Sequence, residues 1–407
     1  MKEPMKHIIR RCLLFGMFPA LAGCTDPTIY KTSSKSFVDA KGLETISINT
    51  DDGKAVLSKT DEKDATITMN GTNYSITIKG RGNSSWNCPK KPYTISFPNA
   101  ITPLGISSNH KKWALLANYL DPSTGLKEDT ALYISEHLLE MEWTPQVQFV
   151  NLFLNGNYQG LYQLADRAKD GKDCISGYKK KKGGYIAEYD SYYDEEPKFR
   201  TVVKKYPVML CSPDTDDDQS LVAAAEEYIQ ETEDFLYNQN PTDAQITARL
   251  DIPSFATYWI VEALMANADT AIPHSVYMYR KTASDRLHAG PVWDFDYLTC
   301  QNPETSSLME SSVYYDCLFK SPSFCSEVKT QWQKLKDNGG LDAIIDHINA
   351  TSTLIASSWE QDVLVWGMRI PLTGERFKTF SGETYGITEY FKKRYQVMDS
   401  FIGNLEV

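Results

Sequence analysis

Between Leu43 and Leu164 apolar residues recur mainly at every second position, the spacing of strands with one buried face. Thr45 to Asn49, Ala65 to Met69, Tyr74 to Lys79 and Tyr93 to Phe97 are predicted strands, the second and third joined across Asn70-Gly71-Thr72. Trp113 to Ala117 reads as a buried strand. Val147 to Leu154 and Tyr158 to Leu164 read as a hairpin turning at Asn155-Gly156-Asn157. One helix interrupts them, Pro122 to Glu142, with Leu126, Leu132, Leu138 and Leu139 as its apolar stripe. After a short strand at Gly183 to Asp190 the period lengthens. Helices are predicted at Gln219 to Leu236, Pro241 to Leu250, Ile252 to Ala266, Pro322 to Asp337, Leu341 to Leu364 and Thr388 to Ile402. A strand-rich part over 43–167 and a mostly helical part over 168–407 describe an α+β protein with a cleft between its parts.

The stretch Ser275 to Asp296 stands apart from this pattern. Val276 to Arg280 and Leu287 to Trp293 have strand residues, Lys281 to Arg286 supplies a polar turn, and the segment ends in Asp294-Phe295-Asp296. On an extended backbone two carboxylates two residues apart share a face, where a hard cation would accept their oxygens. The preceding helix begins with Pro253 in its first turn and is followed by a loop bearing Asp269. Helix, Asp-bearing loop, hairpin and metal-binding Asp followed by Phe is the order found in protein kinases. A surface turn with solvated carboxylates satisfies the same pattern.

Upstream, the strand Tyr74 to Lys79 runs into Gly80-Arg81-Gly82 before strand character resumes at Tyr93. A glycine-bearing bend lets backbone amides approach a phosphate, and it is equally the form of an ordinary hairpin loop. Counting by twos back from Phe97 through Ile95 and Tyr93 places Lys91 on the apolar face and Lys90 toward water. An inward lysine needs an anion, either a nucleotide phosphate or an internal carboxylate.

The chain opens with Lys2, Lys6, Arg10 and Arg11, then an apolar run from Cys12 to Ala22 that closes in Leu21-Ala22-Gly23-Cys24. This is the form of an export signal over 1–23, too short to span a bilayer, and its end resembles a bacterial lipobox with Cys24 as the lipidated residue. Residues 24–42 have the Ser- and Thr-rich composition of a tether. Such a chain is expected in the bacterial cell envelope, at the outer membrane or cell surface, with no membrane contact beyond the lipid. The 407 residues carry a net charge of −11, near −14 without the basic leader, which disfavours nucleic acid as a partner. Cys88, Cys174, Cys211, Cys300, Cys317 and Cys325 show no CxxC spacing, and the six histidines include no HExxH pair, so a thiolate or imidazole metal site is not expected.

Four separated segments resemble the spore-coat-protein-H (CotH) kinase-like family: Arg81 to Tyr93 (RGNSSWNCPKKPY), Trp113 to Pro122 (WALLANYLDP), Leu152 to Tyr162 (LFLNGNYQGLY) and Gly290 to Asp296 (GPVWDFD). The resemblance implies a protein-kinase-like two-lobe fold and transfer of the ATP γ-phosphate to a hydroxyl of a protein or glycan acceptor, by a monomer. It makes Asp269 the catalytic residue and assigns Lys91, with Gly80, Arg81 and Gly82, to the nucleotide. It makes Asp294, with Asp296 and Ser275, the ligands of Mg²⁺ or Mn²⁺. Two departures stand out: His274-Ser275 where relatives often have His-Asn, and Lys127-Glu128 where they often have Arg-Asn. Glu136 is placed by helical position as a partner for Lys91. Two other classes compete with the kinase. One is a catalytically silent surface lipoprotein binding a protein or polysaccharide through the cleft and through Tyr189, Tyr192 and Tyr193, favoured by the scarcity of ATP outside the cytoplasm. The other is a hydrolase using a carboxylate pair.

Overall fold

The computed structural model describes residues 43–305, 312–367 and 379–407. Cys24, the leader and the tether lie outside them. The alternating N-terminal segments become β1 (Glu44–Thr50), β2 (Lys63–Met69), β3 (Thr72–Gly80), β4 (Tyr93–Ile101), β5 (His110–Leu116), β6 (Val147–Leu154) and β7 (Asn157–Ala165). They close into a barrel in the order β1-β2-β3-β4-β5-β7-β6, with β1 antiparallel to β2 and parallel to β6. Closure removes both edges, and the inward residues Ile46, Ile48, Ile67, Ile78, Ile95, Trp113, Leu152 and Leu164 form a dry core.

The remainder is less purely helical than its periodicity suggests. β8 (Tyr185–Tyr189), β9 (Lys198–Arg200), β10 (Pro207–Ser212), β11 (Val276–Arg280) and β12 (His288–Ala289) form a second sheet in the order β12-β11-β8-β10-β9. β9 escapes sequence reading because three residues are too few to show a period, and β10, six residues long, is not read either. The predicted return strand Leu287 to Trp293 shrinks to two residues.

The helices are α1 (Leu126–Tyr133), α2 (Gln219–Asn238), α3 (Asp243–Arg249), α4 (Ile252–Met265), α5 (Tyr315–Leu318), α6 (Pro322–Asp337), α7 (Gly340–Trp366) and α8 (Phe380–Gly403). α4 is buried on almost every face, beneath the second sheet and against α6 and α8. α1 starts four residues later than predicted. Asp121 accepts hydrogen bonds from the Ser123 and Gly125 amides at 2.9 Å each, holding 121–125 as a loop that competes with the first helical turn.

α7 crosses back to the barrel. Trp359 and Trp366 donate their indole N–H groups to the carbonyls of Pro122 and Gln159, at 2.9 and 2.7 Å. Between them Asp362 accepts the Leu161 amide at 3.0 Å and pairs with Lys90 at 2.7 Å, both side chains fully buried. Among the described residues no helix is long and apolar enough to cross a membrane.

Candidate active site

β8 and β11 lie side by side with Tyr189 opposite Val276 and Glu188 opposite Tyr277, so the end of one strand meets the start of the other. Asp190 and Ser275 therefore share one sheet edge. Asp190 accepts the Ser275 amide at 3.1 Å and the Tyr192 amide at 2.7 Å, and lies 3.3 Å from His274 Nδ1. Ser275 Oγ in turn donates to Asp294 at 3.3 Å. Ser275 and Asp294 both hold left-handed backbone, with φ of 52° and 73°. Non-glycine residues in that region are strained, and such strain gathers at functional sites.

The left-handed turn at Asp294 also corrects the expectation of two carboxylates on one face. Asp294 points outward, Phe295 is fully buried, and Asp296 is half-buried on another side. There it shares its surroundings with Asp121, Glu128 and Lys127. Glu128, in the first turn of α1, accepts the Phe295 amide at 2.7 Å, and its other oxygen is buried with no hydrogen-bond partner among the described residues. Lys127 donates to the Thr299 carbonyl at 3.2 Å. The two residues that depart from the family pattern thus grip the segment that follows Asp294.

Asp269 follows α4, which ends in a left-handed residue, Ala266. The Asp269 amide donates to Asn267 Oδ1 at 3.1 Å, fixing the turn that carries its carboxyl. Burial, then the nearby charge of Asp294, pushes Asp269 up to about 7. Although its side chain reaches solvent, the protein packed around Asp294 desolvates it and raises it too, against the pull of Arg81, and burial raises Asp296 well above the carboxylate range. Glu128 reaches about 8 and Glu188 about 7, each chiefly through burial. Burial works against the charge of His274, but Asp190, Asp269 and Asp294 together leave it above its usual value. Carboxyl oxygens held close against their own repulsion are the kind of ligand a hard cation takes, and it binds them as carboxylates. The donor set therefore fits Mg²⁺ or Mn²⁺. Among the described residues no three His, Cys, Asp or Glu side chains are spaced to enclose a metal by themselves, so a cation here would need ligands from a substrate as well.

From the barrel, Arg81 reaches over this edge. Its guanidinium lies 6.0 Å from the Trp293 ring centre, and its surroundings include Asp294, Tyr277, Glu188 and Arg167. Tyr277 donates its hydroxyl to Glu188 at 2.7 Å on the floor beneath. Lys169 is paired with Glu195 nearby. The glycines flanking Arg81 are needed for packing: a side chain on Gly80 would overlap the Trp86 ring, and Gly82, at φ 80°, has Ser85 Oγ against it.

Lys91 does not join this group. Strand β4 begins only at Tyr93, so alternation cannot be counted back to Lys90 and Lys91, and it is Lys90 that is fully buried. Lys91 is half-buried, donates to the Trp86 carbonyl at 2.6 Å and lies 5.1 Å from the Trp86 ring centre. Burial lowers its pKa, and no cleft carboxylate opposes that. Glu136 accepts instead from Gln146 at 2.8 Å. Of the three tyrosines read as exposed, Tyr189 is fully buried with its hydroxyl 3.0 Å from that of Tyr314, while Tyr192 is about half exposed beside His274.

Asp190, Glu188, Glu128, Arg167 and Lys169 carry no sequence signal of their own. The sequence marks Asp190 only as the end of a short strand and Glu128 only as a departure from the family pattern.

A model of the CotH kinase protein family matches residues 78–398, and the chain belongs to that family. Comparison with curated proteins gives no match.

Proposed function

We propose that this protein is an ATP-dependent phosphotransferase on a protein-kinase-like two-lobe fold, moving a phosphoryl group to a hydroxyl of a protein or glycan. The observation that carries this reading is the meeting of Asp269, Asp294 and Arg81 at one edge, although they lie on three separate elements. Asp294 and Ser275 would hold the divalent ion, with Asp296 and Glu128 behind them. Arg81, supported by Arg167 and Lys169, would face the phosphates in place of Lys91. When bound, Mg²⁺ or Mn²⁺ would offset charge on the transferred group. Asp269 would orient the acceptor hydroxyl and take its proton, a role suited to a carboxyl raised to about 7.

The same reading places the protein as a monomer in the cell envelope, held by lipid on Cys24. Cys24→Ser is expected to move it from the membrane to the soluble fraction, and unchanged fractionation would refute the anchor.

The catalytic reading is tested by thermal stabilisation with ATP and Mn²⁺ beside a labelled-phosphate transfer assay. Asp269→Asn should keep ATP stabilisation and lose transfer, because an orienting carboxylate acts mainly in the transition state. If the wild-type protein gains no stability from ATP at any Mn²⁺ concentration, the protein is a binding module and the kinase reading fails.

A further inference from the structure

Glu262 lies in the last turn of α4 and is 7% exposed. Its Oε2 accepts from Asn267 Nδ2 at 2.9 Å, and Asn267 Oδ1 accepts the Asp269 amide at 3.1 Å. Asn267 is itself 4% exposed, and its carbonyl accepts the Thr270 hydroxyl at 3.0 Å. A chain of buried hydrogen bonds therefore runs from the body of the helix into the turn that aims Asp269.

Burial of a carboxyl here is costly, because among the described residues Glu262 Oε1 has no hydrogen-bond partner. With Ser312 Oγ, also buried and without a partner among the described residues, it lines a cavity of about 10 Å³ together with Tyr258, Asn267 and Thr270. That is room for about one water molecule between two groups able to bond it. An apolar residue would sit in this helix at lower cost but would leave Asn267 free to turn. Asn267 would then lose the constraint that presents its oxygen to Asp269.

We propose that Glu262 is a positioning residue that fixes the Asp269 turn through Asn267. The inference rests on the reading of Asp269 as the group that orients the acceptor. Burial holds Glu262 near a pKa of about 8, so a neutral glutamine keeps an acceptor oxygen for Asn267 with little change in charge.

Glu262→Gln, Glu262→Ala and Asn267→Ser are compared with wild type by hydrogen–deuterium exchange over residues 267–271, by ATP titration with Mn²⁺, and by transfer kinetics. Glu262→Ala and Asn267→Ser should speed exchange in that turn and lower kcat by about tenfold or more, with the KM for ATP unchanged. Glu262→Gln should restore both toward wild type. Unchanged exchange and kcat in Glu262→Ala would overturn the proposal, as would equal loss in Glu262→Gln and Glu262→Ala. Should Glu262→Ala not fold, Asn267→Ser cuts the same link from the loop side and is judged by the same criteria. A wild-type protein that transfers no phosphate overturns the reading of Asp269, and the role of Glu262 in transfer with it. Exchange over 267–271 then separately decides whether Glu262 holds the turn.

Discussion

Two buried groups of charges behave in opposite ways in this protein. Where α7 meets the barrel, Lys90 and Asp362 are both fully buried, 2.7 Å apart, and the pair is completed by the Leu161 amide and the Tyr162 ring 4.6 Å away. Around Asp294 the carboxyls of Asp269, Asp296 and Glu128 gather, and desolvation together with their neighbouring charges raises the pKa of each. The first arrangement is satisfied within the chain and ties the two parts together. The second is satisfied only in part within the chain, by Arg81, Ser275 and His274. Opposite charge that closes on itself marks structure, whereas like charge held together by the fold marks a place for a ligand.

Removing one member of the first group should have the largest effect. Lys90→Ala leaves Asp362 charged and unpaired inside the protein, and an unfolding titration in urea should show a loss of about 3–5 kcal/mol. Lys91→Ala removes one hydrogen bond near the surface and should cost about 1 kcal/mol. Equal losses would erase the distinction between the two lysines.

In the second group, Asp294→Asn relieves repulsion and should leave the metal-free protein at least as stable as wild type. It should also abolish the thermal shift produced by ATP with Mn²⁺. A variant that loses stability without ligand would show that Asp294 is a structural group after all.

The raised carboxyls give a pH signature. Glu128, Glu188 and Glu262 have folded values of about 8, 7 and 8, above the ordinary glutamate value of 4.5. Between these limits the folded state binds more protons than the unfolded state. Their contribution is therefore fully present below about pH 4.5 and is lost as pH rises toward 8. Each group can contribute a slope of at most about 1.4 kcal/mol per pH unit. Denaturant midpoints of the metal-free protein should fall between pH 5 and 8, and Glu128→Gln should flatten the fall. A flat profile in the wild type would contradict the burial of these groups as acids.

The smallest effect is expected at Ser275. Asparagine tolerates its left-handed backbone and offers a better metal ligand, so Ser275→Asn should lower the Mn²⁺ concentration for half-maximal ATP binding by about a few-fold. No change in that concentration would place Ser275 outside the ion's reach.

The alternation that predicted β1 to β7 was legible because each strand of a closed barrel has one dry face, and the composition of that face is local. The same holds for α4, whose apolar run and Asp251-Ile252-Pro253 start mark its extent. The helix end before Asp269 and the strand β11 before Asp294 were legible because each has a local pattern of its own. Lys91 was misassigned because the period of a strand was extended past Lys90 into residues that form no strand. Glu188 and Asp190 were invisible for another reason: their place in the site depends on β8 pairing with β11, whose sequence lies more than 80 residues away.

The sequence by itself therefore determined the barrel strands, most of the helices, and the change from a strand-rich to a helix-rich chain. Only the tertiary structure decided that Asp294 turns outward on left-handed backbone, that Arg81 rather than Lys91 comes over it, and that Glu128 closes on Phe295. Periodicity records which side of an element avoids water, a property that each residue carries alone. Which charges meet is set by strand pairing and by the docking of α1 and α7, and those are sums over many distant contacts that no local pattern contains.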